Sequence, residues 1–486
     1  MRAASWARSR RRTLPWICSS CSRRAGLRRT RRTYATTSVQ EPPDVYDVVC
    51  VGGGPAGLSL LTALRGSPTT SRLKIALVES QDLGRTRQWT LPGDQYSNRV
   101  SSLTPSSVGF LKSAYRAQKV PYTADHGSLD IGVWPHIQRD RVQAYTEMQV
   151  WDGMTDARVS FDWPSETPSQ RARAPSQTIA YMTENLNLTS ALLRRVDEMG
   201  GLQIFDNTRV EKIGLGPETD RVDLSSWPVV ELSGGQRLAA RLLVGADGAN
   251  SPVRTFADIP SRGWDYDRHG VVATVRLQEG VRGPKTAYQR FLPTGPVALL
   301  PLPGNLATLV WTTLPSHASQ LKSLSPANFT AMVNAAFRLS PVDLAYMHTQ
   351  ADGQDEELAW RLPHTPVAES LIPATATSVQ HGSIASFPLR QGLNLGQGDV
   401  SSLHYTISAS VAHGGDIGAS IALEPYNAAR YAPNNAMLGV VDKLHKLYSV
   451  SSGPLVPLRS WGLSAVQNMT GLKGILMRVA AGEMGG

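Results

Sequence analysis

Tyr46-Asp47-Val48-Val49-Cys50-Val51 runs straight into Gly52-Gly53-Gly54-Pro55-Ala56-Gly57, and an apolar stretch from Leu58 to Leu64 follows. This reads as strand, turn and helix, with glycines in the G-x-G-x-x-G register of a dinucleotide-binding βαβ unit. Gly52 permits the tight turn off the strand, Gly54 lets the backbone approach a pyrophosphate, and Gly57 lets the helix pack closely on the strand. The helix N-terminus offers free N–H groups and partial positive charge to phosphates. A second strand is expected at Leu73-Lys74-Ile75-Ala76-Leu77-Val78, ending at Glu79. An acid about 20 residues past the last glycine is where a ribose 2′-hydroxyl is held, and its charge disfavours a 2′-phosphate. A glycine turn alone fits many α/β proteins; the whole succession points to a dinucleotide.

Further along, the apolar run Leu242-Leu243-Val244 meets Gly245-Ala246-Asp247-Gly248-Ala249-Asn250-Ser251. A strand ending in Gly-x-Asp-Gly sets a carboxylate and bare backbone at the carboxyl edge of a sheet, where cofactors of open α/β sheets bind. By itself it is also a common Asp-Gly turn.

Around these motifs, a helix is expected from Thr183 to Met199, with Leu188, Leu192 and Val196 four apart, then a strand at Leu202–Phe205. Residues 163–176 read as a surface loop and 264–315 as antiparallel strands, including a hairpin with strands near Val297–Leu302 and Leu306–Thr312. Residues 324–380 read as helical and then irregular, and helices dominate from Leu393 to about Tyr448. At 486 residues the chain exceeds the usual single-domain size. No run of apolar residues is long enough for a transmembrane helix.

The net charge of +10 is local. Residues 1–34 hold eleven arginines, no lysine and no acid; the remaining 38 basic residues face 39 acidic ones. No nucleic-acid partner is expected of the body. The Arg- and Ser-rich leader has the composition of a mitochondrial presequence, with Arg32-Thr33-Tyr34-Ala35 as a processing site; a basic membrane or nucleic-acid arm is the alternative. Cys18 and Cys21 fall in this leader and lack partner ligands for a metal site. Cys50, on the first strand, reads as a small core residue.

Together, Gly52–Gly57 and Gly245-Ala246-Asp247-Gly248-Ala249-Asn250-Ser251-Pro252-Val253-Arg254 resemble the aromatic-ring flavoprotein monooxygenases of the para-hydroxybenzoate hydroxylase type. Asn98-Arg99-Val100-Ser101-Ser102-Leu103-Thr104-Pro105, Met148-Gln149-Val150-Trp151-Asp152 and Glu184-Asn185-Leu186-Asn187-Leu188 narrow this to the mitochondrial ubiquinone-biosynthesis monooxygenases. So do Phe291-Leu292-Pro293-Thr294-Gly295-Pro296, Ser386-Phe387-Pro388-Leu389 and Gly392-Leu393-Asn394-Leu395-Gly396. The resemblance runs from about Tyr46 to the C-terminus.

It implies an α/β fold: a Rossmann-like FAD-binding domain of the GR2 type, an inserted, mainly antiparallel β-sheet substrate domain, and a helical C-terminus. The expected boundaries are 1–34 for the presequence and 45–90, 180–260 and 383–450 for the discontinuous FAD-binding domain. Residues 91–179 and 261–382 then form the substrate domain and connections, and 451–486 the C-terminal helical segment. The resemblance implies FAD, O2, and hydroxylation at C5 of a prenylated aromatic substrate of the 4-hydroxybenzoate type. Electrons would come from ferredoxin and ferredoxin reductase, or from NAD(P)H. It further implies peripheral membrane contact on the matrix face of the mitochondrial inner membrane, within a complex of other ubiquinone-biosynthesis proteins. The flavin carries the chemistry. No Ser-His-Asp triad or metal cluster is needed, and no convincing one is found. Gly52, Gly54 and Gly57 are carried over to the pyrophosphate, Glu79 to the adenosine ribose, Arg99 to the phosphates and Asn185 to the cofactor. Asp247 and Gly248 belong to the second cofactor motif, and Gly392, Leu393 and Asn394 open a helix whose N–H groups would face the flavin pyrimidine ring.

The family's third cofactor motif is missing. It is a strand ending in Gly-Asp, whose aspartate binds the ribityl chain, followed by a loop into Gly-Gln-Gly. Here Phe387-Pro388-Leu389-Arg390 passes directly to Gln391-Gly392-Leu393-Asn394. A parallel strand of the central sheet should therefore be absent and FAD affinity reduced. Clean matches on both flanks favour a sequence that lacks one coding segment. The alternative is a catalytically impaired isoform acting as a scaffold in the same complex; a further one is another FAD-dependent oxidoreductase of isoprenoid metabolism. Near the C-terminus, Trp461, Leu463, Val466, Met469, Leu472, Ile475, Leu476 and Val479 suggest one amphipathic helix with Arg459, Lys473 and Arg478 as cations, facing either a membrane surface or the cofactor domain.

Overall fold

The computed structural model describes residues 42–112, 131–162, 178–218, 223–260, 266–279, 286–365, 372–388 and 393–480. The leader with Cys18 and Cys21, the 163–176 loop and Gly392 lie outside them.

The strand that opens the dinucleotide motif is the spine. β1 (Asp44–Val51) buries Val48, Val49 and Cys50 completely, so both its faces must be covered, as in a parallel sheet. It lies between β2 (Ile75–Val78) and β11 (Arg237–Gly245), parallel to both, with Val48 opposite Ile75 and Leu242. β8 (Leu202–Phe205) adds a fourth parallel strand beside β2. On the other side, β10 (Pro228–Leu232) and β9 (Val210–Leu215) continue the sheet antiparallel, giving the order β8-β2-β1-β11-β10-β9. β10 meets β11 only over Arg237–Ala239. Beyond Ala239, no described strand lies on the side of β11 away from β1.

Helix α1 (Pro55–Gly66) covers one face with Leu58, Leu60, Leu61 and Leu64, each worth about 1.5–3 kcal/mol when withdrawn from water. α2 (Leu83–Arg87) follows β2, and α3 (Pro105–Lys112) follows β3 (Val100–Leu103). α4 (Asn185–Met199) packs on α1, with Leu188, Leu192 and Val196 buried as their spacing predicts. It starts later than the sequence suggests. Thr183 and Glu184 end β7 (Ala180–Glu184), opposite Ser101 and Val100 of β3, and this pairing overrides helix propensity. With β4 (Gln143–Tyr145), these two strands make a three-stranded sheet.

The second large sheet is mainly antiparallel. It contains β5 (Glu147–Asp152), β6 (Arg158–Asp162), β12 (His269–Leu277), β13 (Thr286–Leu292), β14 (Gly295–Pro301), β15 (Leu306–Thr313) and β16 (Ala376–Val379). Its order is β16-β12-β15-β14-β13-β5-β6, with β13 parallel to β5. The hairpin expected around Pro303-Gly304-Asn305 is β14–β15. β17 (Ala385–Pro388) also pairs with β12, so a strand past position 383 belongs to this sheet rather than to the parallel one. After α5 (Pro252–Phe256) come α6 (Pro315–Ser323), α7 (Pro326–Arg338), α8 (Pro341–Met347) and α9 (Gln354–Arg361), the last four on the second sheet's side of the chain. Phe329, Met332, Val333 and Phe337 of α7 share a core with Trp151, Leu309 and Trp311.

The C-terminal stretch forms α10 (Leu393–Ala412), α11 (Ser420–Tyr448), α12 (Leu455–Asn468) and α13 (Thr470–Ala480). The single amphipathic helix expected there is two helices, because Met469 leaves helical geometry at φ −102°, ψ 86°. They pack not on the parallel sheet but along β6. Gln467 accepts from the Ser160 N–H at 2.8 Å, and Lys473 pairs with Asp162 at 2.7 Å. No helix among the described residues is long and apolar enough to cross a membrane.

His317 and His348 stack in this core, ring centroids 3.9 Å apart. Burial first, then the neighbouring His317, pushes His348 down from 6.5 to about 3. Burial also lowers His317, and brings His404 to about 4. The unfolded chain therefore takes up protons that the fold refuses. The stability held above pH 6.5 is lost as pH falls towards those values. The thermal midpoint should drop steadily on acidification below neutrality, and His348→Phe, which keeps a ring in the stack, should flatten part of that slope.

Candidate functional site

β1 ends fully buried, and the chain must turn at once. At Gly52, φ is +109°, and a Cβ there would sit 2.3 Å from the Ala246 carbonyl oxygen. At Gly57, a Cβ would meet the Gly52 carbonyl oxygen at 2.0 Å, so only glycine lets α1 come this close. Gly54 has nothing within 4 Å of its missing side chain, which leaves its outward face open. It is also the N-cap of α1. No side chain caps that helix and its first turn holds no acid, so the first amides are free for an anion.

The Gly245–Gly248 bend closes on the same place. The Ala246 N–H donates to the Val51 carbonyl at 2.7 Å, and Ala246 fills the space left by Gly52 and Gly57. Asp247 follows, with Oδ2 buried and without a hydrogen-bond partner among the described residues. Gly248 takes φ +84°. The two motifs, almost two hundred residues apart, thus meet at the carboxyl ends of adjacent parallel strands.

Glu79, at the end of β2, accepts from the Gly53 N–H at 2.5 Å and from the Gln81 N–H at 2.8 Å. It therefore ties the glycine loop down while keeping acceptor capacity for a hydroxyl. Asp247 and Glu79 both bear on the strand end. Burial foremost, then these two charges, pushes the Cys50 thiol up to about 12, which makes it an inert core residue.

α10 brings a third element. Gly396 lies against Ala56, and Gln397 Nε2 donates to Ser59 Oγ at 3.0 Å, so its first turns rest on those of α1. Asn394 is fully engaged: Oδ1 accepts from the Thr104 N–H and Ser107 Oγ at 3.1 and 3.0 Å, and Nδ2 donates to the Ser102 carbonyl at 2.6 Å. Its side chain fastens the helix to β3 and α3; a helix-terminus role falls to backbone amides. Leu393 opens the helix. Asn185 is likewise tied, accepting from Ser101 Oγ at 2.5 Å while its N–H donates to the Arg99 carbonyl at 3.0 Å. Arg99 is exposed, its guanidinium 5.0 Å from the Phe387 ring, and among the described residues it pairs with no carboxylate. Trp151 is buried against Phe337, and Asp152 is bonded to Arg459, so this pair is structural.

Sequence reading missed a buried ion pair that holds the loop leading to Arg99. Arg141 Nε donates to Glu184 Oε2 at 2.7 Å, with side chains 2% and 0% exposed. Only the acid at the end of an apolar strand, Glu184, could have signalled it.

The glycine contacts, the uncapped helix start and the orphaned Asp247 oxygen fit the diphosphate and ribose half of a dinucleotide such as FAD. Past Ala239 no described strand pairs with β11 on the side away from β1; there Gly418 lies against the Arg241 carbonyl and Asp416 pairs with the Arg241 guanidinium at 2.6 Å.

A family model described as an FAD binding domain matches residues 130–357. Ubiquinone biosynthesis monooxygenase COQ6 of Saccharomyces cerevisiae is 35% identical to this chain, covering 92% of it and 96% of the relative. The COQ6 proteins of Schizosaccharomyces pombe and Homo sapiens are 34% and 32% identical, each covering 90% of this chain and 92% of the relative. Among solved structures, p-nitrophenol 4-monooxygenase PnpA of Pseudomonas putida matches with TM-score 0.59 at 14% identity, over 91% of this chain and 99% of the other. Klebsiella pneumoniae HpxO, complexed with FAD, matches with TM-score 0.54 at 15% identity, over 90% of this chain and 99% of the other. At these identities the structures share the fold.

Proposed function

Because the chain belongs to the COQ6 family of mitochondrial ubiquinone-biosynthesis monooxygenases, we propose that it is an FAD-dependent monooxygenase that hydroxylates C5 of a polyprenylated 4-hydroxybenzoate-type ring. The observation that carries this reading is the meeting of the Gly52–Gly57 cradle with the Asp247 bend around the end of β1. When bound, FAD supplies the redox chemistry with O2, using electrons from ferredoxin and its reductase or from NAD(P)H.

The chain's own residues bind and orient. Gly52, Gly54 and Gly57, with the first amides of α1, take the pyrophosphate. Glu79 accepts from the adenosine ribose, and Arg99 offers its fork to the phosphates. Asn185 holds the Arg99 backbone, while Asp247 and Gly248 line the cofactor beside the cradle. Leu393 and Asn394 begin α10, whose amide dipoles favour negative charge next to them, and Gly392, outside the described residues, is assigned to the same flavin contact. The protein works on the matrix face of the mitochondrial inner membrane, with other ubiquinone-biosynthesis proteins. Support for a surface contact comes from the apolar side chains left exposed on α11, α12 and α13, namely Leu438, Val441, Leu458, Trp461 and Ile475, and from Met469 between the last two helices.

That no described parallel strand follows β11 on that side favours a second reading, in which this chain is an impaired isoform that serves as a scaffold. Purification decides between them. We expect the chain to bind FAD weakly and lose it on gel filtration. Insertion of a Gly-Asp strand segment between Arg390 and Gln391 should restore retention, flavin absorbance and conversion of a prenylated 4-hydroxybenzoate. A form with the segment that stays colourless in excess FAD would sink the monooxygenase reading. A chain that converts substrate without the segment would sink the scaffold reading.

A further inference from the structure

Through Gln380, the second sheet hydrogen-bonds the backbone of the loop that carries Arg99. Gln380 lies in the turn between β16 and β17. Its Oε1 accepts from the Tyr96 N–H and its Nε2 donates to the Tyr96 carbonyl, both at 2.9 Å. The side-chain amide thus makes the pair of bonds that a neighbouring strand's peptide group makes. Its own backbone is fixed: the N–H donates to the Thr274 carbonyl at 2.8 Å, and the carbonyl accepts from Ser383 Oγ at 2.8 Å.

One residue on, the Ser97 N–H donates to Glu184 Oε1 at 2.5 Å, and the other oxygen of Glu184 carries Arg141. Arg141 spends its remaining donors on the same loop, bonding the Gln95 carbonyl at 2.6 Å and those of Leu91 and Pro92 at 3.4 Å. Its guanidinium lies 4.4 Å from the centre of the Tyr96 ring. Two residues later comes Arg99, with its carbonyl held by Asn185 and its guanidinium over Phe387 of β17.

We propose that Gln380 is a positioning residue for the cofactor: from the substrate sheet, and together with the Arg141–Glu184 pair, it fixes the backbone that presents Arg99 to the phosphates of FAD. This rests on the assignment of Arg99 to those phosphates. An exposed arginine has many rotamers to lose on binding, so a backbone held in advance leaves less freedom to surrender. The Tyr96 ring is already buried against Ala287, Leu302 and Leu306; Gln380 adds the hold on its backbone N–H and carbonyl, which the ring packing does not supply. Tyr96, Ser97, Asn98 and Gln380 wall one cleft, so the clasp stands where a bound group can feel it.

Gln380→Leu keeps the volume and removes both bonds. In the free protein, hydrogen exchange at the Tyr96 and Ser97 amides should quicken by about tenfold or more, because their acceptors are lost or loosened. FAD, followed by quenching of its fluorescence, should bind roughly tenfold more weakly. In an Arg99→Ala background the same change should alter FAD affinity by less than about twofold, since the two act through one contact. Unchanged exchange, or an equal loss of affinity with and without Arg99, would overturn the proposal and leave Gln380 a stability contact. Should Arg99→Ala alone leave FAD binding unaffected, the assignment of Arg99 fails, and the proposal with it.

Discussion

Gly52→Ala should cost the protein both its FAD and much of its stability. Any L-residue at φ +109° is strained, by about 1–3 kcal/mol. The added carbon would also lie 2.3 Å from the Ala246 carbonyl oxygen and 2.7 Å from the Asp247 nitrogen. These are backbone atoms of the neighbouring strand end, with no rotamer to yield. The ends of β1 and β11 must part, and the bond from the Ala246 N–H to the Val51 carbonyl goes with them, at about 1 kcal/mol. These two terms sum to roughly 2–4 kcal/mol, and the clash adds to them. Gly57→Ala should match it, since its carbon would fall 2.0 Å from the Gly52 carbonyl oxygen. Gly54→Ala supplies the contrast. Nothing lies within 4 Å of the new methyl, so the fold should melt within about 2 °C of the parent. Yet the methyl points into the space where a pyrophosphate must approach, and FAD binding should fall sharply. A Gly52→Ala protein that melts like the parent, or a Gly54→Ala protein that holds FAD normally, would separate the glycines from the roles given to them.

The parts of this site legible in the sequence are those written in backbone geometry. A glycine register, a strand of buried β-branched residues and an acid after the second strand follow rules of local conformation, so Gly52, Gly57, Glu79 and Asp247 fall together as expected. What sequence could not supply is pairing between polar residues far apart in the chain. Nothing in Arg139-Asp140-Arg141 separates the buried Arg141 from its more accessible neighbours, and nothing near Gln380 announces that it clasps a residue 284 positions away. Asn394 shows the same limit from the other side. Its place at the start of a helix was readable, but its side-chain partners on β3 and α3 were not. The Thr183–Glu184 boundary failed because strand pairing with β3 outweighs a helical pattern that continues smoothly through those residues.

The C-terminal cations divide in the same way, and Arg459 tests the division. On sequence it joins Lys473 and Arg478 as a polar-face residue of an amphipathic helix. In the fold it is 1% exposed and grips Asp152, itself 0% exposed, through Nε at 2.6 Å and Nη2 at 3.1 Å. Its third nitrogen bonds the Leu447 and Val450 carbonyls at 2.9 and 2.6 Å, and the guanidinium lies 5.1 Å from the centre of the Tyr448 ring. One side chain thus ties α12, the end of α11 and the last residue of β5. Arg459→Ala leaves a buried carboxylate with, among the described residues, only the Met154 N–H and Ser460 Oγ, and should cost about 3–5 kcal/mol. Asp152→Asn alone strands the cation and should cost a similar amount. Asp152→Asn with Arg459→Met removes both charges while keeping volume, and should recover a large part of the loss. Urea unfolding of the three variants reads this directly. Proteolysis in the stretch from Ser449 to Pro454 should be fastest in Arg459→Ala, because that linker is anchored from one side by the lost bonds. Losses that simply add in the double variant would mean that the two residues act separately, and that α12 is held to the sheet by its apolar face rather than by this pair.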